Sequence, residues 1–146
     1  MTRRFEADVS VESGPPAINP KEAARVLRHL AKRLAVPHES LGVLFSDDAR
    51  MKDLNFKFRG KNRSTDVLSF PAGDEGQGPG VPRHLGDMVI SSPTARRQAA
   101  RRRHPASREA RVLLIHGFLH LLGFDHETDD GEMEILESDQ AAGLEL

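Results

Sequence analysis

The strongest restriction on the fold is the thirteen-residue run 112–124, apolar or glycine throughout except for His116 and His120. A bilayer-crossing helix needs roughly 20 mostly apolar residues, so the run is too short to be one. Pro105 separates it from what precedes, and Gly123 stands where a helix would end, so it reads as a helix closing near Leu122. A chain of 146 residues has the size of one domain with one core. Residues 1–146 are therefore expected to form a single domain.

The segments upstream alternate in period. Phe5, Ala7, Val9 and Val11 recur every second residue, as in a half-buried strand. Asn19 and Pro20 form an N-cap and first helical position, followed by Ala23, Ala24, Val26, Leu27, Leu30 and Leu34 at helical spacing, which predicts a helix near 20–35. Residues 41–45 read as a short strand, and the sequence Ser46-Asp47-Asp48 caps a second helix with Met51, Leu54 and Phe58 on one side. Strands are predicted at 66–70 and 86–91, with a Gly- and Pro-rich surface loop at 72–82 between them. Ser91 or Ser92 caps a helix with Pro93 in its first turn, and a last helix is predicted at about 130–142. The expected class is α/β (α+β), a small mixed sheet of about four strands packed with about five helices.

Composition removes several classes of function. Hydrophobic residues make up 38% and charged residues 29%, so neither a disordered nor a membrane chain is expected. Residues 1–8 start basic but have no apolar stretch after them, so they do not read as a secretory signal, and the expected address is the cytoplasm. There is no cysteine, so a metal site would have to use His, Asp or Glu. All aromatic residues are phenylalanine, at 5% of the chain, which disfavours the stacking surfaces of sheet-type RNA readers. The net charge of −1 hides a division. Residues 95–111 carry seven arginines against one glutamate, whereas residues 125–146 carry nine carboxylates and no Lys or Arg.

The chemistry concentrates in His116, His120 and His126, at relative positions 0, 4 and 10. Residues four apart on a helix share a face with Cβ atoms about 5–6 Å apart, so His116 and His120 can both reach one ion at roughly 2.0–2.1 Å. A left-handed Gly123 would reverse the chain and bring His126 back as third ligand. Three imidazoles leave a fourth position for water, the arrangement of a catalytic zinc site; nickel, copper and iron also accept such ligands. The spacing coincides with the metzincin pattern H-E-x-x-H-x-x-G-x-x-H, but Gly117 stands in place of the glutamate that acts there as general base. Peptide hydrolysis by that route is not expected. His29, His38, His84 and His104 show no chelating spacing and read as surface or capping residues.

Three segments together resemble the YbeY endoribonucleases, bacterial rRNA maturation factors. They are Phe58-Arg59-Gly60-Lys61 running on to Thr65-Asp66-Val67-Leu68-Ser69-Phe70-Pro71, then Leu85-Gly86-Asp87-Met88-Val89-Ile90-Ser91, then the stretch from His116 to His126. The resemblance extends over about residues 5–140, with Phe124 where tyrosine is common. It implies one zinc ion on His116, His120 and His126, a basic cleft residue at Arg59, and cleavage of single-stranded RNA. It further implies small-subunit rRNA maturation, ribosome quality control, and the small ribosomal subunit with its proteins as partners.

The residues allow roles to be assigned within that frame. A metal-lowered water pKa of about 7 supplies a nucleophile without a strong protein base, which suits a site lacking the glutamate. The forked guanidinium of Arg59 matches a phosphate. Asp87 could orient a ligand imidazole or accept a proton from water. Arg101, Arg102 and Arg103 could meet backbone phosphates, or the arginine run could be neutralised by the acidic tail. The alternatives are a metal-stabilised ribosome assembly factor that does not cut, and a metallopeptidase-like hydrolase.

Overall fold

The computed structural model describes residues 5–73, 80 and 83–124. Their elements run β1 (Glu6–Val11), α1 (Pro20–Arg33), β2 (Ser40–Ser46), α2 (Asp48–Arg59), β3 (Val67–Pro71), β4 (His84–Ser91), α3 (Ser92–Arg102) and α4 (Ala106–Leu121). The helix starts follow from local chemistry. Asn19 accepts from the Lys21 N–H at 2.9 Å, Asp47 from the Arg50 N–H at 2.9 Å, and Ser91 from the Thr94 N–H at 3.3 Å. Each side chain satisfies one of the backbone donors that a helix leaves without an internal partner. Among the described residues, no helix is long and apolar enough to cross a membrane.

The four strands form one mixed sheet in the order β1-β2-β4-β3. β1, β2 and β4 are parallel, and β3 joins β4 antiparallel as an edge strand. Side chains alternate between the two faces of the sheet. Leu41, Val43 and Phe45 of β2 point to one face, where they meet Leu27 and Leu30 of α1 and Leu114, Phe118 and Leu119 of α4. Leu44 of β2, Val89 of β4 and Leu68 and Phe70 of β3 point to the other, against Met51 and Leu54 of α2. Full burial of a side chain such as Leu27 or Phe118 contributes about 1.5–3 kcal/mol, so the α1/α4 face holds most of the core.

β4 begins two residues earlier than the expected 86–91, and a bulge explains why. Ser40 pairs with His84 but Gly42 pairs with Asp87, so β4 carries one extra residue there. Gly86 absorbs it at φ 149°, where a Cβ would stand 2.6 Å from the Phe70 carbonyl oxygen. After the bulge Met88 and Ile90 join Leu85 on the α1/α4 face, and Asp87 turns to the α2 face. Four helices lie within the described residues. The predicted helix at 130–142 lies outside them, as does most of the loop at 72–82.

Candidate metal centre

α4 buries Leu113, Leu114, Phe118 and Leu121 and leaves Val112, His116 and His120, four apart, as a half-buried stripe. The two imidazoles converge: Nε2 of His120 lies 2.9 Å from Nε2 of His116, with ring centroids 4.4 Å apart. Two ligand atoms of one tetrahedral zinc at about 2.05 Å would stand roughly 3.3 Å apart. A small rotation of either ring therefore carries the pair into a chelating arrangement, and the donor set fits zinc.

Beyond His120 the helix closes in a Schellman motif. The Gly123 N–H donates to the His120 carbonyl at 3.0 Å and the Phe124 N–H to the Leu119 carbonyl at 3.1 Å, with Gly123 at φ 98°. The chain thus reverses one turn after the histidine pair, as the sequence predicts. Asp125 and His126 lie outside the described residues. Among the described residues no group of three or more His, Asp or Glu side chains could hold a metal, so the fit rests on the pair.

Gly117, between the histidines, faces the sheet. A Cβ there would lie 2.9 Å from Met88 Sδ and 3.2 Å from Ser69 Oγ, and the Ser69 hydroxyl donates to the Gly117 carbonyl at 3.1 Å. The residue that departs from the peptidase pattern is also the one that lets α4 approach β3 and β4. A side chain at this position would require Met88 to shift.

Arg59 ends α2, on the opposite side of β3 from α4, and is exposed. Gly60 follows at φ 68°, the left-handed conformation that stops the helix. Among the described residues the Arg59 side chain has no hydrogen-bond or ion-pair partner, so a structural salt bridge does not account for it there. The loop after it is anchored: buried Asn55 donates to the Arg63 carbonyl at 2.9 Å, and Ser64 donates to Asp48 at 3.3 Å. The helices on the two sides of edge strand β3 thus carry Arg59 and the histidine pair respectively.

Two expectations need correction. Asp87 does not orient an α4 histidine. Its strand neighbour Met88 points at Gly117, so Asp87 points away, through the other face of the sheet. There its carboxylate presses where a Cβ on Gly42 would be and lies 3.3 Å from Nε2 of His84. Arg102 is not a free phosphate ligand, because its Nη1 donates to both oxygens of Glu109 at 2.9 and 2.8 Å. Glu109 is fully buried, and the His104 ring nitrogen Nε2 sits 3.1 Å from it. A carboxylate taken out of water needs such partners.

The remaining arginines of the run divide. Arg96 donates to the Pro15 carbonyl, Arg97 pairs with Asp48 at 2.6 Å and Arg111 with Glu22 at 2.9 Å. Partners in the body of the domain thus neutralise part of the charge; the acidic tail lies outside the described residues. Arg101, Arg103 and Arg108 are exposed, with no side-chain partner among the described residues. Arg103 caps α3 at φ 56°.

Sequence reasoning passed over Phe58. The stripe of Met51, Leu54 and Phe58 starts fully buried and ends 65% exposed. The signal available was adjacency to Arg59. The pairing of Glu109 with Arg102 and His104 was also missed, since it spans a helix corner that spacing does not reveal.

A family model described as endoribonuclease YbeY matches residues 13–145. A protein from Chelativorans named endoribonuclease YbeY is 49% identical over 109 residues, covering 73% of this chain and 67% of that one. Its counterpart from Moorella thermoacetica is 42% identical over 131 residues, with 84% of each chain covered. A solution structure of a Thermotoga maritima protein aligns with TM-score 0.61 at 24% identity, over 92% of this chain and 85% of that one, which shows the shared fold. With nearly its whole length matched, the chain belongs to the endoribonuclease YbeY family.

Proposed function

We propose that this protein is a zinc-dependent endoribonuclease that cuts single-stranded regions of rRNA, in maturation of the small ribosomal subunit and in ribosome quality control. Endoribonuclease activity follows from the family. The metal, the strand preference, the ribosomal partners and a cytoplasmic address are our reading. The observation that carries the metal-dependent part is the 2.9 Å approach of the His116 and His120 Nε2 atoms on one face of α4.

His116 and His120, with His126, would hold the ion, which when bound supplies Lewis acidity that makes water a nucleophile near neutral pH and stabilises developing phosphoryl charge. The protein residues position the RNA. Arg59, exposed and without a partner among the described residues, offers two parallel N–H donors to the non-bridging oxygens of a phosphate. Gly117 contributes no proton acceptor, and a side chain there would have to displace Met88. That geometry disfavours the peptidase alternative.

Cleavage of an unstructured RNA by zinc-loaded protein tests the proposal, with His120→Ala and Arg59→Glu purified in parallel. Wild type should cut and His120→Ala should not. Arg59→Glu should bind RNA more weakly at unchanged metal content and melting temperature. Equal cleavage by wild type and His120→Ala, or none by either, would instead favour a metal-stabilised assembly factor. Peptidase turnover lost with His120→Ala would revive the metallopeptidase reading.

A further inference from the structure

On the α2 face of the sheet lies a groove of about 400 Å³, lined by Leu44, Leu54, Phe58, Phe70 and Val89, with Asp87 among its polar groups. Phe58 is 65% exposed, yet its ring is held at one side by Phe70 in an edge contact, centroids 5.2 Å apart and planes at 67°. A large apolar ring left open to water has to be explained, particularly next to a cation with no partner among the described residues. Arg59 follows Phe58 directly, and Lys61 and Arg63 are exposed in the loop beyond. An aromatic face beside cations that can track a phosphate backbone is the arrangement that holds single-stranded nucleic acid. A protein partner would use the ring and the groove but would leave the cations unexplained.

We propose that Phe58 is a substrate-positioning residue that stacks a base of single-stranded RNA at the mouth of this groove while Arg59 takes an adjoining phosphate. The proposal rests on the RNA-cleaving reading above and adds a base contact to it. The strand would then run over β3, with a base held on the α2 side and the backbone passing toward the histidines on the α4 side. Stacking is tolerant of base identity, because every base has a π-face, so the contact would orient the substrate without fixing its sequence.

The test is binding of a fluorescently labelled, unstructured 12-nucleotide RNA, confirmed intact after each measurement, and of the same oligonucleotide with abasic positions. Phe58→Leu keeps an apolar side chain but loses the π-face. It should weaken binding of the base-bearing RNA about five- to a hundredfold, the range typical of one base–aromatic stack. Its effect on the abasic RNA should stay below twofold. Phe58→Trp should restore affinity and show fluorescence quenching on binding. The same leucine change at Phe56, 57% exposed on the same helix but outside the groove, should have no effect. The stacking role is overturned if Phe58→Leu changes nothing while Arg59→Glu still weakens binding; RNA recognition then stands, and the patch passes to a protein partner. Equal losses on base-bearing and abasic RNA, or equal losses at Phe56, overturn it as well. If the wild type binds neither oligonucleotide, the RNA reading itself falls and the stacking role with it.

Discussion

At Gly117 the close approach of α4 to the sheet and the chemistry of the histidine stripe meet in one backbone position. A side chain there meets Met88, which is fully buried, and Ser69, whose hydroxyl holds the Gly117 carbonyl. Replacing Gly117 by glutamate restores the letter pattern of a metzincin but forces a carboxylate into the contact between α4 and β4. Overpacking and an unpaired buried charge together should cost at least about 3 kcal/mol, a fall in Tm on the order of 6–12 °C for a domain of this size. Thermal denaturation of Gly117→Glu measures it; an unchanged Tm would mean that α4 sits farther from β4 than the 2.9 Å approach to Met88 implies. The spacing of His116 and His120 could be read from sequence because helical periodicity is local. The need for glycine between them could not, because it arises from Met88 and Ser69, on two strands that lie far from Gly117 in sequence.

Among the elements, α2 and α3 are tied by one carboxylate. Asp48, at the start of α2, accepts hydrogen bonds from the hydroxyls of Ser91 and Thr94, both at 2.6 Å, and from Arg97 at 2.6 Å. Burial pushes the Asp48 carboxyl up, but the hydrogen bonds from Ser91, Thr94 and Arg97 and the charge of Arg97 outweigh it and hold the group at about 2. The folded value lies below the ordinary 3.8 of the unfolded chain. The stabilisation is therefore complete above about pH 4 and is lost as pH falls through about 2. Since about a third of the side chain is exposed, the effect is roughly 1–2 kcal/mol after solvent screening. In denaturant melts, Asp48→Asn should lower stability at neutral pH by about that amount and flatten its decline between pH 4 and 2. An equally steep decline in the variant would assign the acid sensitivity to other carboxylates. Asn19 as a helix cap was legible in the sequence, and the caps of α2 and α3 were narrowed to Ser46-Asp47-Asp48 and to Ser91 or Ser92, because capping involves only neighbouring residues; the structure selects Asp47 and Ser91. The start of β4 was not, because the bulge at Gly86 depends on pairing with both β2 and β3, and nothing local marks it. The exposure of Phe58 was hidden for the same kind of reason: the apolar stripe is local, whereas what covers each of its residues is not.

For the molecule as a whole, the charge division in the sequence overstates what is free to meet RNA. Of the arginines in 95–111, Arg97, Arg102 and Arg111 are paired within the domain and Arg96 is held by a backbone carbonyl. Arg101, Arg103 and Arg108 remain exposed and without a side-chain partner among the described residues, and Arg59 is exposed at the end of α2. Whether one RNA strand engages both places is answered by the salt dependence of binding. Each phosphate neutralised on a single strand steepens log Kobs against log salt by about 0.7. If Arg101 and Arg103 each hold a phosphate, the double glutamine variant should flatten the slope by about 1.4, and Arg59→Gln by about 0.7. The effects should add, because the sites share no partner among the described residues. Arg102→Gln should behave differently. It should leave the slope nearly unchanged and lower Tm instead, because it strips a buried carboxylate of its bidentate partner. A slope that falls with Arg102→Gln at unchanged Tm would show that the Glu109 pair gives way to phosphate, and the arginine run would then act on RNA as a unit.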